Sequence, residues 1–181
     1  MQNELYIKTD NLVGRCLKGE SKAQFEFYNL YCKNMYNTSF RILLNSTEAE
    51  DVVHESFFSA FDKLHTFSGQ VTIGAWLKRI VINKSLDVLK RRKVDFTDIG
   101  VLRNVASENM DEDVDELQLK VEKVKDCIKK LPENHRLIIT LNLIEGYDHE
   151  EIADILKITE STSRSQLSRA KKKLLELIKL E

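Results

Sequence analysis

The stretch EEIADILKITESTSRSQLSRAKKKL, Glu150 to Leu174, sets hydroxyl and cationic side chains at helical spacing. Ser161, Arg164, Ser165, Ser168, Lys171 and Lys172 fall on one side of the second helical pattern, and Leu167, Ala170, Leu174 and Ile178 mark the other. Such donors suit a polyanion. Hydroxyls and ammonium groups donate to phosphate, and a guanidinium also reads a base edge. No acid is expected on that side. Ile152, Ala153 and Leu156 give the preceding short helix its inward face, Ile158 fills the turn, and Thr159 is the expected N-cap of the second helix. The pattern is a helix-turn-helix with the second helix as reader. It also suits an ordinary αα-hairpin with a charged outer face.

A second constellation lies at Asp51, Glu55 and Phe58, spaced i, i+4 and i+7 with His54 beside them. Phe58 falls off the apolar face of its helix. An aromatic ringed by polar groups is a partner-binding anchor, or else a cover for a neighbouring helix. His54-Glu55 starts a zinc motif, but Phe58 occupies the position of the second histidine, so no metal site is expected. His65, His135 and His149 have no ligand spacing, and no nucleophile motif or phosphate-cradling glycine loop is present. Catalysis and cofactor binding are therefore not expected.

The third constellation joins the loop Phe67–Gly74 to a basic helix carrying Arg79, Asn83 and the run Lys90-Arg-Arg-Lys93. Cations that track a backbone, beside a loop of small, polar and aromatic groups, suit unstacked single-stranded bases. The basic end also complements the helix dipole.

The elements that position these groups read as helices. Six Gly, one Pro and three-four apolar spacing predict an all-α chain. Capping boxes are expected at Ser21–Gln24, Thr47–Glu50 and Asp148–Glu151. The first opens a helix through Phe25, Tyr28, Cys32, Met35, Phe40 and Leu43 that stops near Asn45. The second opens one with Ala49, Val52, Val53, Phe57, Ala60, Phe61 and Leu64 inward. A third helix runs from Ala75 to about Lys93, with Trp76, Leu77 and Ile80 in its first turns. Leu117, Val121, Val124, Ile128 and Leu131 mark a further helix broken by Pro132, and Leu137–Leu143 another that ends near Gly146.

Net charge is -1, yet charge is segregated. Residues 71–93 hold seven cations against Asp87, 94–116 hold eight acids against Arg103, and 157–181 hold seven cations against three acids. Two basic blocks flanking an acidic one suggest polyanion contact at two places. The expected organisation is an N-terminal domain over 1–93, an acidic linker over 94–113 and a C-terminal domain over 114–181. Three scattered cysteines fit a reduced, cytoplasmic setting. The polar, acidic N-terminus is not expected to be a signal peptide, and no membrane insertion is expected.

Two segments together resemble a known family. AEDVVHESFFSAF followed by FSGQVTIGAWLKRIVINKSLDVLKRRK resembles the second conserved region of bacterial sigma factors. LPENHRLIITLNLIEGYDHEEIADILKITESTSRSQLSRAKKKL resembles the fourth, and the short connection between them resembles the extracytoplasmic-function group. The resemblance implies two small helical domains and a non-enzymatic specificity subunit that recruits core RNA polymerase to a two-part promoter and helps melt it. It implies that Asp51, His54, Glu55 and Phe58 bind core polymerase. Phe67, Ser68, Thr72, Trp76, Arg79, Asn83 and Arg91 would take the nearer promoter element as it melts. Thr162, Arg164, Ser165, Ser168, Arg169, Lys171 and Lys172 would read the distal element as duplex. An anti-sigma factor is a further expected partner, and no cofactor is expected.

The chain departs from the family pattern at Lys157, where Gly is common in the turn; a left-handed backbone there costs on the order of 1–2 kcal/mol for a non-Gly residue. Ser163 replaces a usual aliphatic and is expected to loosen the helix-turn-helix core. Ile82, Lys84 and Gln166 are also uncommon choices. Two other classes remain: a stand-alone helix-turn-helix regulator that binds DNA without polymerase, and a helical adaptor that binds proteins only. The second leaves Lys90–Lys93 and Lys171–Lys173 without a role.

Overall fold

The structure, a computed structural model, describes residues 11–95 and 116–180, with side chains over 11–92 and 119–180. The acidic linker expected over 94–113 lies outside these residues, apart from the helical backbone of 94 and 95. Every regular element among the described residues is helical. Residues 11–17 form α1, followed by α2 (Ser21–Leu43), α3 (Ser46–Lys63), α4 (Ile73–Asp95), α5 (Glu116–Lys129), α6 (Glu133–Ile139), α7 (His149–Leu156) and α8 (Glu160–Leu180). The chain divides into two compact units, Met1–Val101 and Leu102–Glu181.

In the first unit α2, α3 and α4 pack on one another. Phe27, Ile42, Leu43, Phe57, Leu77, Val81 and Ile82 are buried there, and burying a side chain of this size contributes roughly 1.5–3 kcal/mol. Phe27 meets Tyr31, Phe57 and Phe61 with ring centroids 4.9, 6.0 and 5.7 Å apart. Three serines sit in this core. Ser39 and Ser85 bridge α2 and α4 through their hydroxyls at 3.0 Å, and Ser85 and Ser56 also donate to the carbonyls of Val81 and Val52. Small hydroxyls that satisfy themselves let helices approach without an orphaned polar group. Gly74 serves the same end at the start of α4: a Cβ there would lie 3.1 Å from Tyr31 Cε1.

Two of the three expected capping boxes do not form. α2 is preceded by Glu20, which makes no side-chain cap and instead pairs with Arg15 at 2.9 Å. α3 is capped two residues earlier than Thr47, by Asn45 accepting from Glu48 N at 3.2 Å. Glu48 has the spacing for a reciprocal bond, but its carboxylate is taken by Arg92 of α4. Phe25 lies on the outer face of α2 rather than in the buried stripe, which instead runs through Ala23, Phe27, Met35, Thr38, Ser39 and Ile42. α4 begins at Ile73, two residues before the expected start.

In the second unit Leu131, Ile138, Ile139, Leu141, Ile152, Ile155, Leu167, Ala170 and Leu174 are buried. Val121 and Val124 are exposed, so the expected apolar stripe of α5 is only partly covered, and Cys127 is fully buried. α6 starts at Glu133, directly after Pro132, where a missing N–H costs a helix nothing. It runs into a π-helical turn, Thr140–Ile144, closed by Glu145 N to Thr140 O at 2.9 Å. Buried Arg136 donates from Nη1 to the Leu131 carbonyl at 3.1 Å, tying the segment after α5 to α6.

Candidate polymerase and nucleic-acid interfaces

On α3, Asp51, His54, Glu55 and Phe58 are all exposed, on the side opposite Ala49, Val52, Val53, Ser56 and Phe57. Phe58 is 78% exposed, so it covers no neighbouring helix of its unit. His54 stacks near Tyr28 of α2, 6.2 Å between ring centroids and 24° between planes. Burial pushes the Tyr28 hydroxyl above its ordinary pKa, so it stays a neutral donor. Glu55 pairs with Lys84 of α4 at 3.5 Å. Tyr28 and Lys84 both border this face without having been assigned to it. A spacing rule within one helix finds neither, because each comes from a neighbouring element.

The loop between α3 and α4 opens with a 3-10 turn, Leu64–Thr66, and turns at Gly69 with φ +74°. Thr72 is a helix cap: its Oγ1 accepts from Ala75 N at 3.2 Å, and its carbonyl accepts from Trp76 N at 3.0 Å. The hydroxyl keeps its own proton to donate. Phe67 and Trp76 meet with centroids 5.7 Å apart and planes at 57°, both half-buried, forming an aromatic corner at the loop base. Ser68, Asn83 and Arg91 are exposed and Arg79 is half-buried. The basic run splits by direction. Lys90 and Arg91 face solvent, whereas Arg92 turns inward to donate to the Leu43 carbonyl and to Glu48, both at 3.2 Å.

The turn between α7 and α8 has the geometry its sequence suggested. Asp148 and Glu151 form a complete capping box, with Glu151 N to Asp148 Oδ1 at 2.8 Å and Asp148 N to Glu151 Oε2 at 2.9 Å. Lys157 ends α7 in the left-handed region at φ 55°, ψ 47°. Thr159 caps α8, accepting from Thr162 N at 3.1 Å. Ser165, Ser168, Arg169, Lys171 and Lys172 are exposed, and Thr162 is half-exposed.

Three features of this turn depart from expectation. An acid does stand on the reading side: Glu160 pairs with Arg164 across one helical turn. The Thr162 hydroxyl is shared with that of Thr159 at 2.8 Å. Ser163, expected to loosen the core, is fully buried and has a polar partner there, His149 Nδ1 at 2.9 Å.

Among the described residues no group of His, Cys, Asp and Glu has metal-site geometry, and no helix is long and apolar enough to cross a membrane. Cys16, Cys32 and Cys127 form no disulfide with one another, and burial pushes the Cys16 thiol to a higher pKa.

Comparison with known proteins covers both units. Residues 27–94 match the model of sigma-70 region 2, and residues 122–174 match that of sigma-70, region 4. The ECF RNA polymerase sigma-E factor of Haemophilus influenzae is 31% identical over 174 residues, covering 88% of this chain and 89% of that protein. The ECF RNA polymerase sigma factor SigW of Bacillus subtilis is 29% identical over 168 residues, covering 87% and 89%. The fold is similar to that of the sigma factor RpoE from Bartonella quintana, solved in complex with the anti-sigma factor NepR. There the TM-score is 0.65 at 24% identity, over 86% of this chain and 96% of the other. Two region models in order along one chain, together with relatives matched over nearly their full length, place the helix-turn-helix and the polar face of α3 in one context: the chain belongs to the sigma-70 family of bacterial RNA polymerase sigma factors, in its extracytoplasmic-function group.

Proposed function

We propose a division of labour among three surfaces of this sigma factor. The α3 face with Asp51, His54, Glu55 and Phe58 docks on core RNA polymerase, Phe58 being the anchor. The observation that carries this reading is the 78% exposure of Phe58 in a ring of polar side chains, since a solvated aromatic gains most by entering a partner's pocket. The loop with Phe67, Ser68 and Thr72, and the α4 residues Trp76, Arg79, Asn83 and Arg91, hold the nearer promoter element. Capture of extruded bases there biases the duplex toward opening, because the open state alone gains those contacts. On α8, Thr162, Arg164, Ser165, Ser168 and Arg169 read the distal element, and Lys171 and Lys172 hold phosphate.

The chain acts as a dissociable, non-enzymatic subunit, consistent with a cytoplasmic setting, and an anti-sigma factor is an expected partner. Relatives of the same fold include one solved with such a factor. A stand-alone helix-turn-helix regulator would not need the α3 face. Run-off transcription with purified core polymerase on a promoter library tests the reading. Specific transcripts are expected only when this chain is added, and their absence, with the chain folded, contradicts it.

A further inference from the structure

The buried residues of α8 are Ser163, Leu167, Ala170 and Leu174. Three are apolar and lie from the second turn onward. The first turn, the end that meets base edges in a helix-turn-helix, has Ser163 as its one buried side chain. A serine side chain is too short to pack as Leu167 does. What Ser163 supplies instead is a hydrogen bond: its Oγ, in a fully buried residue, lies 2.9 Å from Nδ1 of half-buried His149. His149 is the first residue of α7, directly after the Asp148 cap. The bond therefore joins the beginning of one helix of the pair to the beginning of the other.

Resting on the reading of α8 as the distal-element reader, the geometry points to His149 and Ser163 as a positioning pair that fixes the first turn of α8 and thereby aims Thr162 and Arg164. Those two residues flank Ser163 in sequence, each about 100° away around the helix. Rotation of the first turn swings both together. Recognition groups need placement within about 0.5 Å and 10–20°, and a buried hydroxyl bonded across the helix pair resists such rotation. Without His149 the Ser163 hydroxyl has the carbonyl one turn back in its own helix as an alternative acceptor. That bond would satisfy the hydroxyl without tying α8 to α7. Either tautomer of the imidazole, or its cation, makes the pair, because the hydroxyl both donates and accepts. The contact thus serves as a fixed strut rather than a proton switch.

The test uses holoenzyme assembled from core polymerase and the full chain, with a pool of promoter-length duplexes randomised over the upstream segment, and sequences the bound fraction. Ser163→Ala and His149→Leu are each expected to lower enrichment of the wild-type motif roughly tenfold, within the range of one lost base-pair preference. The double variant is expected to lose no more than either single, as two partners of one contact should. His149→Asn, whose amide stands where Nδ1 does, is expected to recover most of the enrichment. Thermal melting is followed in parallel. Unchanged enrichment in the single variants, with or without a lower melting temperature, overturns the proposal, as does additive loss in the double. The combined variant Arg164→Ala, Ser165→Ala, Arg169→Ala separates the two levels: an intact motif in that variant refutes α8 as reader, and the pair's role with it. A motif lost in the combined variant but kept in the His149 and Ser163 variants refutes the pair alone.

Discussion

Arg92 near the end of α4 donates from Nε to a Glu48 carboxylate oxygen at 3.2 Å, so one member of a four-residue basic run closes the helical core rather than facing DNA. Its Nη1 also takes the Leu43 carbonyl at the end of α2. Three helices converge on this guanidinium. Arg92→Met is expected to lower the stability of the N-terminal unit by about 1–2 kcal/mol, the range for partly exposed charged hydrogen bonds. Arg91→Ala should stay within about 0.5 kcal/mol and instead weaken binding of single-stranded nearer-element DNA. Urea melts of both variants check this, and equal stability losses would contradict it.

Phe58 contributes little to the free fold. Phe58→Ala together with Glu55→Lys is expected to leave the melting transition nearly unchanged while weakening core polymerase binding by about 2 kcal/mol or more. Pull-down or anisotropy with purified core enzyme measures the second quantity. Unchanged affinity would remove α3 from the interface.

Arg164, proposed to read the distal element, is paired with Glu160 across one helical turn. Arg164→Ala should lower selectivity for the distal element by roughly 1–3 kcal/mol if it reads a base edge. A uniform loss across sequences would indicate phosphate contact instead. Glu160→Gln is expected to raise duplex affinity of the holoenzyme, since it removes both a competitor for Arg164 and a charge repelled by phosphate. Lower affinity in that variant would show that Glu160 aims Arg164 rather than restrains it.

Lys157 occupies the left-handed region at φ 55°. Lys157→Gly relieves that strain, loses only an exposed pairing to Asp154 at 2.9 Å, and is expected to stabilise the C-terminal unit by about 1 kcal/mol after the entropy cost of glycine. Thermal unfolding checks the sign.

The parts of this molecule that follow local rules were legible in the sequence. The Asp148–Glu151 box and the Thr159 cap each depend on residues within one turn of chain, and each forms as expected. The exposed row Asp51, His54, Glu55 and Phe58 was also readable, because helical periodicity alone separates it from Val52, Val53 and Phe57. Illegible features came from tertiary partners. Asn45–Glu48 and Thr47–Glu50 fit the same capping rule, and the Glu48 carboxylate that would complete a box with Asn45 is held by an arginine 44 positions away. Ser163 read as a defect in an apolar stripe because its partner, His149, stands 14 residues back on another helix. Phe25 has the right spacing for the core of α2, yet the helix turns Phe27 inward to meet Phe57 and Phe61.

The two proposed DNA-binding surfaces are expected to act only when polymerase spaces them along one promoter. Anisotropy of a fluorescent promoter duplex, titrated with this chain alone and with the chain bound to core polymerase, tests it most directly. Saturable, sequence-specific binding is expected with the complex and only weak, salt-sensitive binding with the chain alone. Tight specific binding by the chain alone, with no complex formed with core polymerase, would contradict it.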